Sequence, residues 1–376
     1  MNFGSKIGMV KTNTASAVIF SLVLLISFAS HLACDKGVEP PVVKDPREYS
    51  WTVDTVYYPN LMQTMISTVW GSSSQDVYMT GRTSGSAPIM LRFDGKRFKE
   101  VIFPYPQDGF GFFDFFSIFG FNSANIWVIG GEWFFNPSPP PNYFDSSGVI
   151  HFNGSTWEEL KLKPRGRNLS AIWGRSQDDF WIAGGKSLWH FDGFGWTNDT
   201  IPIVTPQGSF YATNWMTGDN DGNVYLTFYM RPIASQARES YYFLKRSEPS
   251  WKIVDSAEIS PQRTDKKWGY SRAWTSPLRQ MYSSGDGIYK WDGTIWKKIF
   301  ESSSANIGQV FGTDDANIFV VGGFGTVLHY NGQNWFRFTQ FDNPDMIYTG
   351  VWTDGTEAFV VGYTLSGQKS IILHGK

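Results

Sequence analysis

The residues with the widest chemical reach in this chain are its histidines, and they recur at one place in a repeated pattern. His151, His190, His329 and His374 share that position, and Arg92, Lys245 and Lys290 fill it in the remaining copies. A metal cluster is the first chemistry such a set suggests. Zinc ligands must converge within about 2 Å of the ion. If the copies form a ring, equivalent positions two strands out, at about 4.8 Å per strand, stand well over 10 Å apart. The expected role is therefore a hydrogen bond to a neighbouring acceptor, with Asp76, Asn125 and Asp179 as partners. No metal and no cofactor are expected. The carboxylates Asp108, Asp114, Glu132 and Asp145 lie in long insertions and could supply an acid–base pair, although no spacing singles one out. Asp219-Asn220-Asp221-Gly222-Asn223 has the look of a calcium loop. An EF-hand would place Gly two residues later and Glu where Met230 stands, so a plain turn is expected. No triad, Gly-rich phosphate loop or nucleophile elbow is present, and no catalytic residue is assigned.

Cys34 is the only cysteine among 376 residues, so no internal disulfide and no thiol chemistry elsewhere is available. It follows Lys6, Lys11, an apolar run over 17–28 and the tripeptide Leu32-Ala33-Cys34. That run is short for a membrane-spanning helix and suits an export signal. Leu-Ala-Cys resembles the bacterial lipobox, with His31 where that pattern usually carries an aliphatic residue. The resemblance implies that residues 1–33 are a signal peptide and that Cys34 carries the lipid. The alternative is an incidental thiol beside an ordinary cleavage site. Residues 34–49, with Pro40, Pro41 and Pro46, read as a tether. At about 3 Å per residue such a segment could hold a domain tens of ångströms from a bilayer. The expected location is the bacterial cell envelope, at the outer membrane or cell surface.

The elements that would position any site are legible from internal repetition. Thr68-Val69-Trp70-Gly71 followed by Asp76-Val77-Tyr78 returns as Ile118-Phe119-Gly120 with Asn125-Ile126-Trp127, and as Ile172-Trp173-Gly174 with Asp179-Phe180-Trp181. It returns again as Val310-Phe311-Gly312 with Asn317-Ile318-Phe319, and as Val351-Trp352 with Ala358-Phe359. Weaker copies centre on Trp215 with Tyr225 and on Trp274 with Tyr282. In six copies a basic residue stands six positions before an aromatic: Arg92 before Phe98, His151 before Trp157, His190 before Trp196, Lys245 before Trp251, Lys290 before Trp296 and His329 before Trp335. All but the fourth copy place Asp-Gly or Asn-Gly, a hairpin signal, between the two.

Four short strands per repeat, named A to D outward from an axis, make the blade of a propeller. The expected fold is all-β, a single seven-bladed β-propeller over residues 50–376. The seventh copy has no aromatic D strand after Ile371-Ile372-Leu373-His374-Gly375, and Ser50-Trp51-Thr52-Val53 supplies one from the other end of the repeats. The expected ring is thus closed by the strand around Trp51. The pattern resembles a family of bacterial propellers with Trp-Gly-Ser…Asp-Val-Trp/Tyr…Gly and Asp-Gly-x-x-Trp elements. It implies the fold and is nearly silent about function.

The long connections all fall on the face made by D–A and B–C connections: residues 104–115, 131–148, 229–240 and 256–267. Phe110, Phe112, Phe113, Trp133, Phe134, Phe135, Tyr143 and Phe144 concentrate there, joined by Arg231 and Arg238. These form the candidate binding face, unless the aromatics fold over the blades and bury one another. The net charge of −2 excludes the basic footprint of a nucleic-acid binder. The expected function is a monomeric, membrane-anchored, non-catalytic propeller that binds a protein or glycan. The alternative is a carbohydrate-active enzyme using loop carboxylates near the channel mouth.

Overall fold

The computed structural model describes residues 44–376 except 85–87, 104–110, 136–142, 161, 163–168, 220, 232–238, 248–249, 260–266, 270 and 303–306. The chain divides into two units, 1–43 and 44–376, and the second is the one described. Cys34 lies outside the described residues. Among these, no helix is long and apolar enough to cross a membrane.

Aromatic and β-branched runs of three to twelve residues, broken by Asp-Gly and Asn-Gly, form seven antiparallel four-stranded sheets. A first strand, β1 (Trp51–Val56), precedes blade one, which is β2 (Thr64–Ser73), β3 (Asp76–Thr83), β4 (Pro88–Phe93) and β5 (Phe98–Glu100). Blade two is β6 (Gly111–Asn122), β7 (Asn125–Phe135), β8 (Tyr143–Phe152) and β9 (Trp157–Glu159). Blade three is β10 (Ala171–Ser176), β11 (Asp179–Gly184), β12 (Ser187–Phe191) and β13 (Trp196–Thr200). Blade four is β14 (Phe210–Gly218), β15 (Val224–Arg231), β16 (Glu239–Ser247) and β17 (Ser250–Ile259). Blade five is β18 (Arg272–Thr275), β19 (Met281–Ser284), β20 (Gly287–Trp291) and β21 (Trp296–Glu301). Blade six is β22 (Ile307–Asp314), β23 (Asn317–Gly322), β24 (Val327–Tyr330) and β25 (Trp335–Arg337). Blade seven is β26 (Met346–Thr353), β27 (Ala358–Thr364) and β28 (Ser370–Gly375), completed by β1.

The closure has the register of the other blades. Elsewhere the D-strand aromatic pairs with the residue after the basic position, as in Phe93↔Phe98 and Phe152↔Trp157. In blade seven Trp51 pairs with Gly375, the residue after His374. A Cβ on Gly375 would stand 2.8 Å from the Trp51 indole, so glycine is required there. The packed chain begins inside the segment read as tether. Pro46–Glu48 form a 3-10 turn, Tyr49 is buried, and the Arg47 guanidinium donates to the Asn334 carbonyl at 2.7 Å.

Apolar burial, the main driving force of folding, is divided among seven clusters, one at each blade–blade interface. Tyr78, Met90 and Ile118 join blades one and two, and Val69, Phe93 and Trp352 join blades seven and one. Such quasi-one-dimensional packing lets a chain this long avoid one oversized core. Near the axis, the A-strand aromatic of one blade lies on the glycine of the next. A Cβ at Gly120 would meet Trp70 at 2.4 Å, and one at Gly218 would meet Trp173 at 2.5 Å. Blade four departs from the expected register. Thr217, not Trp215, pairs with Tyr225 and holds the aromatic position. The bulge between Thr213 and Trp215 matches those at Ile66/Thr68, Phe115/Ser117, Ile307/Gln309 and Tyr348/Gly350, so Trp215 stands at the place of Thr68 and Ser117. Blade five carries Thr275 where blades one, two, three, four and six have that glycine, and its hydroxyl shares a 2.9 Å hydrogen bond with that of Thr217.

Candidate functional site

The repeated basic position is structural in all seven blades. Each such residue pairs across the strands with the B-strand aromatic, as in Tyr78↔Arg92, Trp181↔His190 and Phe359↔His374. His151 stacks on Trp127 at 3.9 Å, His190 on Trp181 at 4.1 Å and His374 on Phe359 at 4.1 Å. Lys245 and Lys290 sit over Tyr225 and Tyr282. The edge of the group bonds the acceptor two residues before that aromatic. The distances are 2.7 Å for Arg92–Asp76, 3.2 Å for His151–Asn125, 2.9 Å for His190–Asp179, 3.0 Å for His329–Asn317 and 2.5 Å for His374–Glu357. The three partners expected from sequence are the ones found. Among the described residues no group of three or more His, Cys, Asp or Glu could hold a metal. The Asp219 carboxylate closes its own turn, accepting from the backbone N–H groups of Asp221 and Asn223.

Two places remain where chemistry could reach a ligand. The first is the D–A/B–C face. Backbone pairing continues where long loops were expected: Phe112↔Trp133, Phe113↔Glu132, Phe134↔Phe144 and Phe135↔Tyr143 belong to an extension of β6, β7 and β8. The cause is an unbroken supply of residues that favour strand. The side chains of these residues are not described, and Phe110 and Arg238 lie outside the described residues. β7 runs eight residues past Trp127 and β15 six past Tyr225, whereas β11 stops three past Trp181. At about 3.3 Å per residue, blade two rises roughly 16 Å and blade four roughly 10 Å above blade three. The result is a groove over blade three, walled by blades two and four. Its floor is fixed where the Lys186 ammonium donates to the Ile203 carbonyl at 2.6 Å.

Arg231 ends β15 on the blade-four wall, exposed, with its guanidinium 5.8 Å from the Phe210 ring. Phe210 is 55% exposed, Val204 is 90% exposed, and Tyr229 packs 6.0 Å from Phe210. Glu239 accepts from the Tyr229 hydroxyl at 3.1 Å. Sequence reading missed Phe210, Tyr229 and Val204, because none stands at a repeated position. Of the candidate acid–base carboxylates, Asp108 is outside the described residues and Asp114 is ion-paired with Arg82 at 3.1 Å. Glu132 and Asp145 are placed by backbone alone, on β7 and β8.

The second place is the axial channel, a cavity of about 330 Å³ lined by all seven A strands. Trp70, Phe119, Trp173, Trp274, Phe311 and Trp352 form an aromatic girdle interrupted by Thr217. Two residues earlier the blades carry Thr68, Ser117, Ala171, Trp215, Arg272, Gln309 and Gly350. Several polar groups at or beside this level bond the adjacent blade: Ser170 donates to the Thr213 carbonyl at 2.5 Å, Thr349 to the Ser67 carbonyl at 3.0 Å, and Gln309 Oε1 accepts from the Val351 N–H at 2.9 Å. Arg272 instead reaches across the channel. Its Nη2 donates to the Phe116 carbonyl of blade two at 3.3 Å. Enclosure alone pulls its pKa below the usual arginine value.

Comparison with known proteins agrees on architecture. No family model matches the chain. The immune protein Tsi7 of Pseudomonas aeruginosa is 23% identical over 125 residues, which is 32% of this chain and 41% of that protein. The chain thus spans about two fifths of the length of this curated relative. Among solved structures, YCF48 bound to D1 peptide superposes with a TM-score of 0.57 at 13% identity, covering 89% of this chain and 98% of that one. The WD40 domain of Neurospora crassa Pan2 gives 0.54 at 10% identity, covering 89% and 97%. At such identities the likeness establishes the fold alone.

Proposed function

We propose that the chain is a non-catalytic scaffold that binds a protein segment along the groove between blades two and four, held at the bacterial envelope through Cys34. The observation that carries this reading is the strand length of blades two and four beyond that of blade three between them. Extra strand length is placed on one face only, and it walls a groove where Phe210, Val204 and Arg231 are exposed. Exposed aromatics and arginine on a rigid framework are the residues that dominate protein recognition. A neighbour of the same architecture is described with a bound peptide, which supports a peptide or protein over a glycan as the ligand.

A photo-crosslinking amino acid at Arg231 is expected to capture a discrete protein band in cells. The same amino acid at Phe194, fully exposed on a C–D turn of the opposite face, is expected to capture none. Equal capture from both positions, or capture from neither, overturns the groove. Capture of glycan alone would replace the protein ligand with a carbohydrate. Anchoring is read separately. Metabolic labelling with a fatty-acid analogue should mark the wild-type protein and be lost in Cys34→Ser, and labelling that survives the substitution removes the lipid anchor from the proposal.

A further inference from the structure

We infer that the axial channel is a binding site for a small organic anion, a carboxylate on a flat apolar body, with Arg272 supplying the counter-charge. The inference is independent of the groove, whose residues lie on the outer face.

The charge is fixed. An arginine stays protonated at any pH the protein meets, so the channel always holds one cation. Among the described residues no carboxylate lies within ion-pair distance of Arg272, and the described lining of the cavity contains no acid. A guanidinium has five N–H donors in a planar fork suited to carboxylate. One long bond to the Phe116 carbonyl uses one of them. Removing a charge from bulk water without a partner is unfavourable, and structural arginines in this chain do have partners, as Arg92 has Asp76 and Arg337 has Asp342. Arg272 has no such carboxylate among the described residues, and it faces a space rather than a packed core.

The space has the character of a ligand pocket. Its volume of about 330 Å³ falls at the small end of the range for small-molecule sites, which are mostly apolar with a few placed polar groups. Ser117, next in sequence to the acceptor Phe116, and Asn214 also line it, and neither side chain makes a hydrogen bond to the described residues. They are further donors for a carboxylate oxygen. The girdle of Trp70, Trp173, Trp274 and Trp352 offers flat faces to the apolar part.

The test uses the whole protein and three probes of nearly equal shape: benzoate, benzyl alcohol and benzylammonium, titrated at constant ionic strength and followed by calorimetry and thermal melting. Benzoate is expected to bind saturably at one site and to raise the melting temperature, as any ligand of the native state does. Benzyl alcohol should bind at least tenfold more weakly, and benzylammonium not at all. Arg272→Gln keeps a donor for the Phe116 carbonyl but loses the charge, and should weaken benzoate at least tenfold. Should that variant fail to fold, the ranking of the three probes on the wild type decides by itself. Equal binding of benzoate and benzyl alcohol overturns the inference. So does the absence of saturable binding by benzoate, phenylacetate and indole-3-carboxylate alike, or undiminished benzoate binding by Arg272→Gln.

Discussion

A protein lacking every residue up to Val56 is expected to lose cooperative folding, and a synthetic peptide spanning residues 44–57 to restore it. Two separate contributions leave with that segment. The first is the six-residue ladder between β1 and β28, from Trp51↔Gly375 to Val56↔Ser370. Without it β28 becomes an open strand edge, which invites pairing between molecules. The second is aromatic packing: Trp51 meets Phe338 at 5.4 Å and Phe341 at 5.3 Å, both edge-on, and Tyr49 joins the same cluster. Trp51→Ala alone should cost about 3 kcal/mol by the scale of buried Trp truncation. Loss of the whole segment should cost on the order of 5 kcal/mol or more, comparable with the net stability of a typical domain. Urea titration and size-exclusion chromatography read both effects. A truncated protein that stays monomeric with an unchanged midpoint would show that blade seven holds its place in the ring without the exchanged strand.

The second large effect is a loss of stability below neutrality through His329. The side chain is 1% exposed, stands 4.8 Å from Phe319, and shares a 3.0 Å hydrogen bond between Nε2 and Asn317 Oδ1. Its Nδ1 is buried with no hydrogen-bond partner among the described residues, so the charged form would bury an N–H that none of them accepts. Burial, reinforced by the positive charge of Arg47, lowers its pKa to about 4. The unfolded chain then binds the proton first. As pH falls through the unfolded value near 6.5 the unfolded state is favoured, and the loss is complete once pH passes the folded value. The expected decline is about 2 kcal/mol by pH 5 and roughly 3 kcal/mol in all. His151, also lowered by burial, acts in the same direction. His329→Gln should be less stable at pH 7 but show a shallower decline between pH 6.5 and 4. Parallel profiles for the two proteins would remove His329 as the source.

The ring itself was legible in the sequence because a propeller writes each decision several times. Trp-Gly, the basic position and the Asp-Gly turn recur with fixed spacing, and each recurrence has the same physical cause. The stacking of His190 on Trp181 and the bond to Asp179 repeat what Arg92 does with Tyr78 and Asp76. Trp51 could be assigned to blade seven because the repeat left one aromatic place empty there. What could not be read is what occurs once. Blade four puts Thr217 where other blades have the A-strand aromatic and carries its tryptophan at position 215, so matching aromatics between copies sets that blade two residues out of register. The upward extension of blade two carries no strand signal, since Gly130, Gly131 and the prolines beyond Phe135 interrupt the alternation that marks a strand. Arg272 stands two residues before Trp274, where other blades carry mostly small or neutral residues. Its register was therefore visible, but its reach across the axis to Phe116 was not, because that depends on three-dimensional closure. Arg231 was found by type and place, while its partner Phe210 needed the pairing Phe210↔Arg231 to be seen.

Closure through β1 also places residue 50 beside residue 376, where the Ser50 amide donates to the Lys376 carbonyl at 2.9 Å and the Lys376 amide returns a bond to Ser50 at 3.1 Å. That junction occupies the place where blades one, two, three, five and six carry a four-residue turn. The hydrogen-bonded ring is thus continuous, while the covalent chain is cut at one of seven equivalent corners. Circular permutation follows from this geometry: a short turn joining 376 to 50, with new termini opened in another C–D turn, leaves every blade with four strands. The fold is indifferent to which of these corners the chain is cut at.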